Sequence, residues 1–163
     1  MKKLIGWLLE ALAGVGALIA LTLPAVSFKF TILNQTTTKT KQMSEFLKAP
    51  EKMSEELLTS YNMMRFTQIA LIVLASLLLL VVLIGLLKHF KILKLKMSAK
   101  SLGMLLTLLL VVVAAVSLVG NIMYVNEWNK TVKDFSALGL SIIVTLACGV
   151  LGLVGNGLLI KEK

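Results

Sequence analysis

The most constraining stretch of the chain is Phe66–Leu87, FTQIALIVLASLLLLVVLIGLL, which holds 22 residues without a charge between Arg65 and Lys88. As a helix it reaches roughly 33 Å, about the hydrocarbon thickness of a bilayer. A soluble core has no use for a run of that length, so the stretch reads as a membrane span. Composition agrees: 58% of the 163 residues are hydrophobic, above the roughly 45–50% of soluble domains, and the mean hydropathy is +0.92.

Three more apolar runs accompany it. Residues 4–27 follow a short basic start, Lys2-Lys3, and are longer than the apolar region of a signal peptide, so a retained span is expected. Residues 101–125 and 135–160 are the third and fourth spans. The expected fold is an all-α integral membrane protein, a four-transmembrane-helix bundle forming one domain over residues 1–163.

Between the spans lie an outer segment, 28–65, a basic loop, 88–100, and a short loop around Trp128. With both termini cytoplasmic, the inner segments carry nine lysines and one acid, the outer ones eight basic residues and six acids. The inner lysines are packed into far shorter segments, and basic density near span ends sets orientation, so an N-in, C-in topology is expected. The net charge of +9 is then a property of the membrane surface, not a nucleic-acid footprint. Lys88, Lys91, Lys94, Lys96 and Lys100 are placed to touch anionic lipid on the cytoplasmic face. Lysine outnumbers arginine 16 to 1, a bias that suggests an AT-rich bacterial genome and hence a bacterial cytoplasmic membrane.

The outer segment opens with a threonine-rich stretch, NQTTTKTK, read as an exposed connection. From Pro50 a helix can begin and run into the second span, standing about four turns out of the membrane. Met53, Leu57, Tyr61 and Met64 form one apolar stripe on it, an expected interaction surface for a partner.

Few residues carry chemistry at membrane depth. Glu10, about 9 Å into the first helix, is the ionisable one, and such a group is costly in lipid. Asn156 falls at the same level on the fourth helix, so a Glu10–Asn156 hydrogen bond is expected across the first and fourth helices. Snorkelling or pairing with a surface lysine is the plainer reading of Glu10. Asn121 and Gln68 form a second polar layer near the outer surface. Gly14 and Ala17 on the first helix, and Ser141, Thr145, Gly149 and Gly152 on the fourth, permit close helix approach. The level between the layers is apolar, unlike ion-coupled transporters, which place ionisable groups near the midplane.

No HExxH, CxxC, GxSxG or nucleotide-binding glycine pattern is present. The acids Glu45, Glu51, Glu55 and Glu56 alternate with lysines as a solvated helix face does. The single cysteine, Cys148, and single histidine, His89, offer neither a dithiol nor a metal cluster. No enzymatic activity, catalytic residue, cofactor or metal is therefore expected. Asn34 and Asn129 begin glycosylation sequons that would lie outside.

Four spans with a long first outer loop, a basic inner loop and a short second outer loop resemble the claudin-like tetraspan architecture. That family carries a tryptophan-rich motif and a cysteine pair in its first loop. Residues 28–65 contain neither Trp nor Cys, and the absence of loop cysteines also sets the chain apart from tetraspanins, so the likeness is one of layout. The functional expectation is a non-enzymatic accessory or protective subunit. It would engage a membrane protein partner through the outer helix and the small-residue helix faces. The alternative is a self-associating channel or holin-like permeabiliser, with the pore formed between copies.

Overall fold

The computed structural model describes residues 2–32, 35–48, 50, 53–93, 99–131 and 136–160. Four helices dominate it: α1 (Lys2–Ala20), α2 (Glu55–His89), α3 (Ala99–Thr131) and α4 (Leu140–Ile160). All four are long and apolar enough to cross a membrane. Sequence neighbours pack on each other, and α1 packs on α4 to close the ring. Most polar side chains within the spans turn inward among an apolar core, while large apolar ones line the outside. Ile5, Leu8, Leu12, Val15 and Ile19 face outward from α1, while Glu10, Gln68, Thr107, Asn121 and Asn156 are buried. This is the distribution expected where the solvent is hydrocarbon.

The helices differ in length for a reason. At 19 and 21 residues, α1 and α4 match a hydrocarbon core of about 30 Å. At 35 and 33 residues, α2 and α3 are each roughly 50 Å long, and their surplus projects beyond α1 and α4 at the end opposite the termini. A long second helix was expected; the equal extension of α3 past residue 125 was not. The start of α2 also differs from the expected Pro50. Ser54, with extended backbone, accepts from Leu57 N at 3.5 Å, and Glu55 and Glu56 occupy the first turn, where acids complement the helix dipole.

The all-α expectation needs correction at that projecting end. β1 (Pro24–Ile32), β2 (Gln35–Gln42) and β3 (Ser136–Leu138) form a three-stranded sheet in the order β2-β1-β3. β1 and β2 make an antiparallel hairpin, with Val26 opposite Lys41 and Ile32 opposite Gln35. β3, from the α3–α4 connection, pairs antiparallel to β1 with Val26 opposite Leu138. The first span therefore stops at Ala20 rather than 27, because Pro24 cannot donate a helical hydrogen bond and disfavours helix in the residue before it. The fourth begins at Leu140 rather than 135. The threonine-rich stretch is a strand, as its β-branched residues favour.

A short 3-10 helix, Met43–Leu47, leads from β2 back onto the bundle. Met43 and Phe46 are fully buried there, in a cluster that includes Val26, Tyr61, Met64, Tyr124 and Leu71. A second cluster around Trp7, Leu78, Val81, Leu106 and Leu159 fills the bundle toward the termini.

Candidate functional site

At the terminal half of the bundle, Trp7, Glu10, Ala13 and Ala17 occupy the buried face of α1, at helical spacings of three and four. Glycines on the facing helices make the room. A Cβ on Gly103 of α3 would stand 3.0 Å from Glu10 Oε2, and one on Gly155 of α4 would stand 3.2 Å from Glu10 N. Glu10 is wholly buried, and neither carboxyl oxygen accepts a hydrogen bond among the described residues.

The expected Glu10–Asn156 bond is not formed. Asn156 Nδ2 donates instead to Thr107 Oγ1 at 3.0 Å and to Gly152 O at 3.5 Å. Thr107 in turn donates to Gly103 O and Met104 O of its own helix. The amide is thus directed onto α3, which leaves Asn156 Oδ1 and the Glu10 oxygens as buried acceptors without donors. Such a group costs about 1–3 kcal/mol relative to an apolar replacement of similar shape. Glu10→Met, which keeps length and removes the acceptors, is therefore expected to raise stability in detergent by about 1–3 kcal/mol. A lower unfolding temperature for the variant would show that the carboxyl has a partner.

The small-residue faces are occupied within the bundle. Gly14 packs against Leu79 and the Ala75 carbonyl of α2, Gly149 against Val111 and Leu110, and Gly152 against Thr107 and Ala13. Ala17, Ser141 and Thr145 are buried too. These six residues make intramolecular contacts, whereas Gly157 on α4 stands exposed with open space beside it.

The Met53–Leu57–Tyr61–Met64 stripe faces the same fate. Tyr61 and Met64 are buried, and Met53 and Leu57 pack on the same cluster. Tyr61 Oη donates to the Glu45 and Lys48 carbonyls at 3.3 and 3.4 Å. Its ring lies 5.1 Å from Phe46, which meets Tyr124 edge-on at 5.4 Å. Tyr124 continues to Trp128, and Trp128 to Phe28 of β1. Lys41 Nζ sits over both Phe46 and Tyr61, at 4.6 and 4.9 Å. The stripe therefore binds the chain's own outer segment, through an aromatic bracket that joins β1, the 3-10 helix, α2 and α3.

The second polar layer is at this end. Gln68 and Asn121 are fully buried, with Asn121 Nδ2 donating to Ser117 O at 2.8 Å. Asn129 receives Ser136 N at 2.7 Å and donates to Ser136 O at 2.9 Å. That side chain is tied to β3, so a glycan there would have to break the link. Asn34 lies outside the described residues.

Of the basic-loop lysines, Lys94 and Lys96 also lie outside the described residues. Lys91 is exposed just beyond α2, with φ at 60°. Lys88 and Lys100 line a cavity between α1, α2 and α3. Among the described residues no three His, Cys, Asp or Glu side chains converge as metal ligands would. Sequence reasoning overlooked Phe28, Phe46, Tyr124 and Trp128, although the alternation Phe28-Lys29-Phe30-Thr31-Ile32 is a strand signal. The chain matches no protein-family model and no curated protein sequence.

Proposed function

We propose that the protein is a non-enzymatic membrane-embedded accessory or protective subunit that engages a membrane protein partner through its outer β-hairpin. The observation that carries the reading is the outer edge of β2. Among the described residues this strand pairs with β1 on one side only, and seven of its eight residues are exposed. Its outer row of backbone amides and carbonyls is a template for another strand, the most direct mode of peptide capture by a sheet. Lys39 lies along it and is exposed. Its charge discourages uncontrolled edge pairing and favours an acidic partner segment. The aromatic bracket beneath supplies the rigidity that such a surface needs. Lysine density argues for both termini on the cytoplasmic side of a bacterial cytoplasmic membrane, with the sheet outside.

A pore between copies would need polar groups on outward helix faces. The large apolar side chains exposed at bilayer depth, including Leu77, Leu80, Val112 and Val150, dominate those faces, with Ser76 a small polar exception on α2. Photo-crosslinkers at Thr36, Thr38 and Thr40, followed by native mass measurement from mild detergent, test the proposal. A discrete hetero-adduct that disappears with Thr38→Pro is the expected result. A solitary monomer overturns it, and homo-adducts accompanied by liposome leakage would move the reading to the permeabiliser.

A further inference from the structure

At the terminal end of the bundle lies a cavity of about 300 Å³, and Lys3 from α1, Lys88 and His89 from α2 and Lys100 from α3 stand around it. None of the described lining residues is acidic, and Lys3 and Lys88 each already make a further interaction within the protein. The Trp7 indole lines it as well, and it lies so close to α2 that a Cβ on Gly85 would overlap the ring. Lys100 is held in place by a 2.9 Å bond from its Nζ to Leu159 O at the end of α4. Ala99 belongs to this cavity and also to a second one, of about 60 Å³. The second cavity is wholly apolar and runs between α2 and α3 along Leu80, Val81, Ile84 and Leu102.

A basic, indole-lined chamber at the end of a bundle thus adjoins an apolar groove at hydrocarbon depth. Free phosphate would use the first alone, and a hydrocarbon the second alone. A lipid with an anionic headgroup uses both, since basic hollows between membrane helices suit phosphate heads and apolar seams suit acyl chains.

We propose that this paired chamber and groove is a binding site for one anionic phospholipid, with its phosphate among Lys3, Lys88, His89 and Lys100 and an acyl chain along Ile84 and Leu102. The site is specific where the lysine-rich loop alone would attract anionic lipid only diffusely. It is also independent of the outer hairpin, at the opposite end of the molecule.

The test is reconstitution in nanodiscs of equal phosphatidylglycerol and phosphatidylcholine, followed by delipidation and native mass measurement. One phosphatidylglycerol should stay with each chain. The double variant Lys3→Gln/Lys88→Gln should lower the retained fraction at least about tenfold. The charge-matched control Lys48→Gln/Lys130→Gln, at the far end, should leave it unchanged. Ile84→Trp, which fills the groove and keeps the lysines, should also release the lipid, and millimolar inorganic phosphate should not displace it from the wild type. Equal retention of both lipids, or equal loss in the two double variants, overturns the proposal. Displacement by inorganic phosphate, with Ile84→Trp silent, would assign the chamber to free phosphate and overturn the lipid reading. Should the lysine variant fail to fold, the lipid preference of the wild type and the Ile84→Trp arm still decide.

Discussion

Replacing Gly139 by alanine is expected to detach β3 from β1 and to lower stability by at least about 3 kcal/mol. Gly139 N donates to Ala25 O at 2.7 Å, and its Cα faces the turn of chain where α1 gives way to β1. A Cβ there would overlap the Pro24 carbonyl, with the Ala25 carbonyl carbon at 2.7 Å. Those atoms are backbone and cannot rotate away as a side chain could. The requirement is for space alone, since the backbone at Gly139 does not take the positive φ that favours glycine. Chemical denaturation in detergent, with amide exchange read at Val26–Phe28, checks this. A loss under about 0.5 kcal/mol, the size of an ordinary surface substitution, would sink the argument. Asn129→Leu removes the side-chain bonds to Ser136. The smaller loss expected for it, about 1–3 kcal/mol, measures the polar half of the same docking.

The contrast between helices and sheet shows what a sequence of this kind reveals. Phe66–Leu87 is legible because hydropathy is a local property and the bilayer thickness sets its length. That Glu10 and Asn156 fall at one level of the bundle is legible for the same reason, by counting residues from the ends of their helices. Their bond was not, because it depends on which way each side chain leaves its helix, and Thr107 competes for the Asn156 amide. β3 was illegible for a different reason. It is three residues long, and its partner in β1 lies more than a hundred positions away in the chain, so no window of sequence contains the pairing. Of the Met53–Leu57–Tyr61–Met64 stripe, the last three lie on α2, and Met53 packs on the same cluster from just ahead of the helix. Periodicity says that such a face is covered, and it is silent on whether a partner or the chain itself covers it. Phe46 decided the matter, from a segment with no helical period of its own.

Phe46→Ala is accordingly expected to cost about 3–5 kcal/mol, the range for emptying a buried aromatic site. The ring is fully buried and touches Tyr61 of α2 and Tyr124 of α3. It is also one of two rings beneath the Lys41 ammonium. Tyr61→Phe, by comparison, loses only the hydroxyl's bonds at 3.3 and 3.4 Å, which amounts to about 1 kcal/mol or less at that length. A large loss for the first variant and a small one for the second would place the energy in ring packing; comparable losses would place it in the hydroxyl and contradict the bracket. The damage should stay local, since the Trp7 and Leu159 cluster is separate from the Phe46 cluster. Amide protection should fall across β1, β2 and the first turns of α2 while α4 near Leu159 keeps its own. If the outer hairpin is the partner surface, crosslinking at Thr36–Thr40 should vanish in Phe46→Ala, because a strand edge captures a partner only while its ribbon is held in place. Phospholipid retention at the Lys3 and Lys88 end should be untouched, because distant sites without shared contacts act independently. Loss of both together would mean that the two ends are coupled through α2 and α3, the helices that run the full length between them.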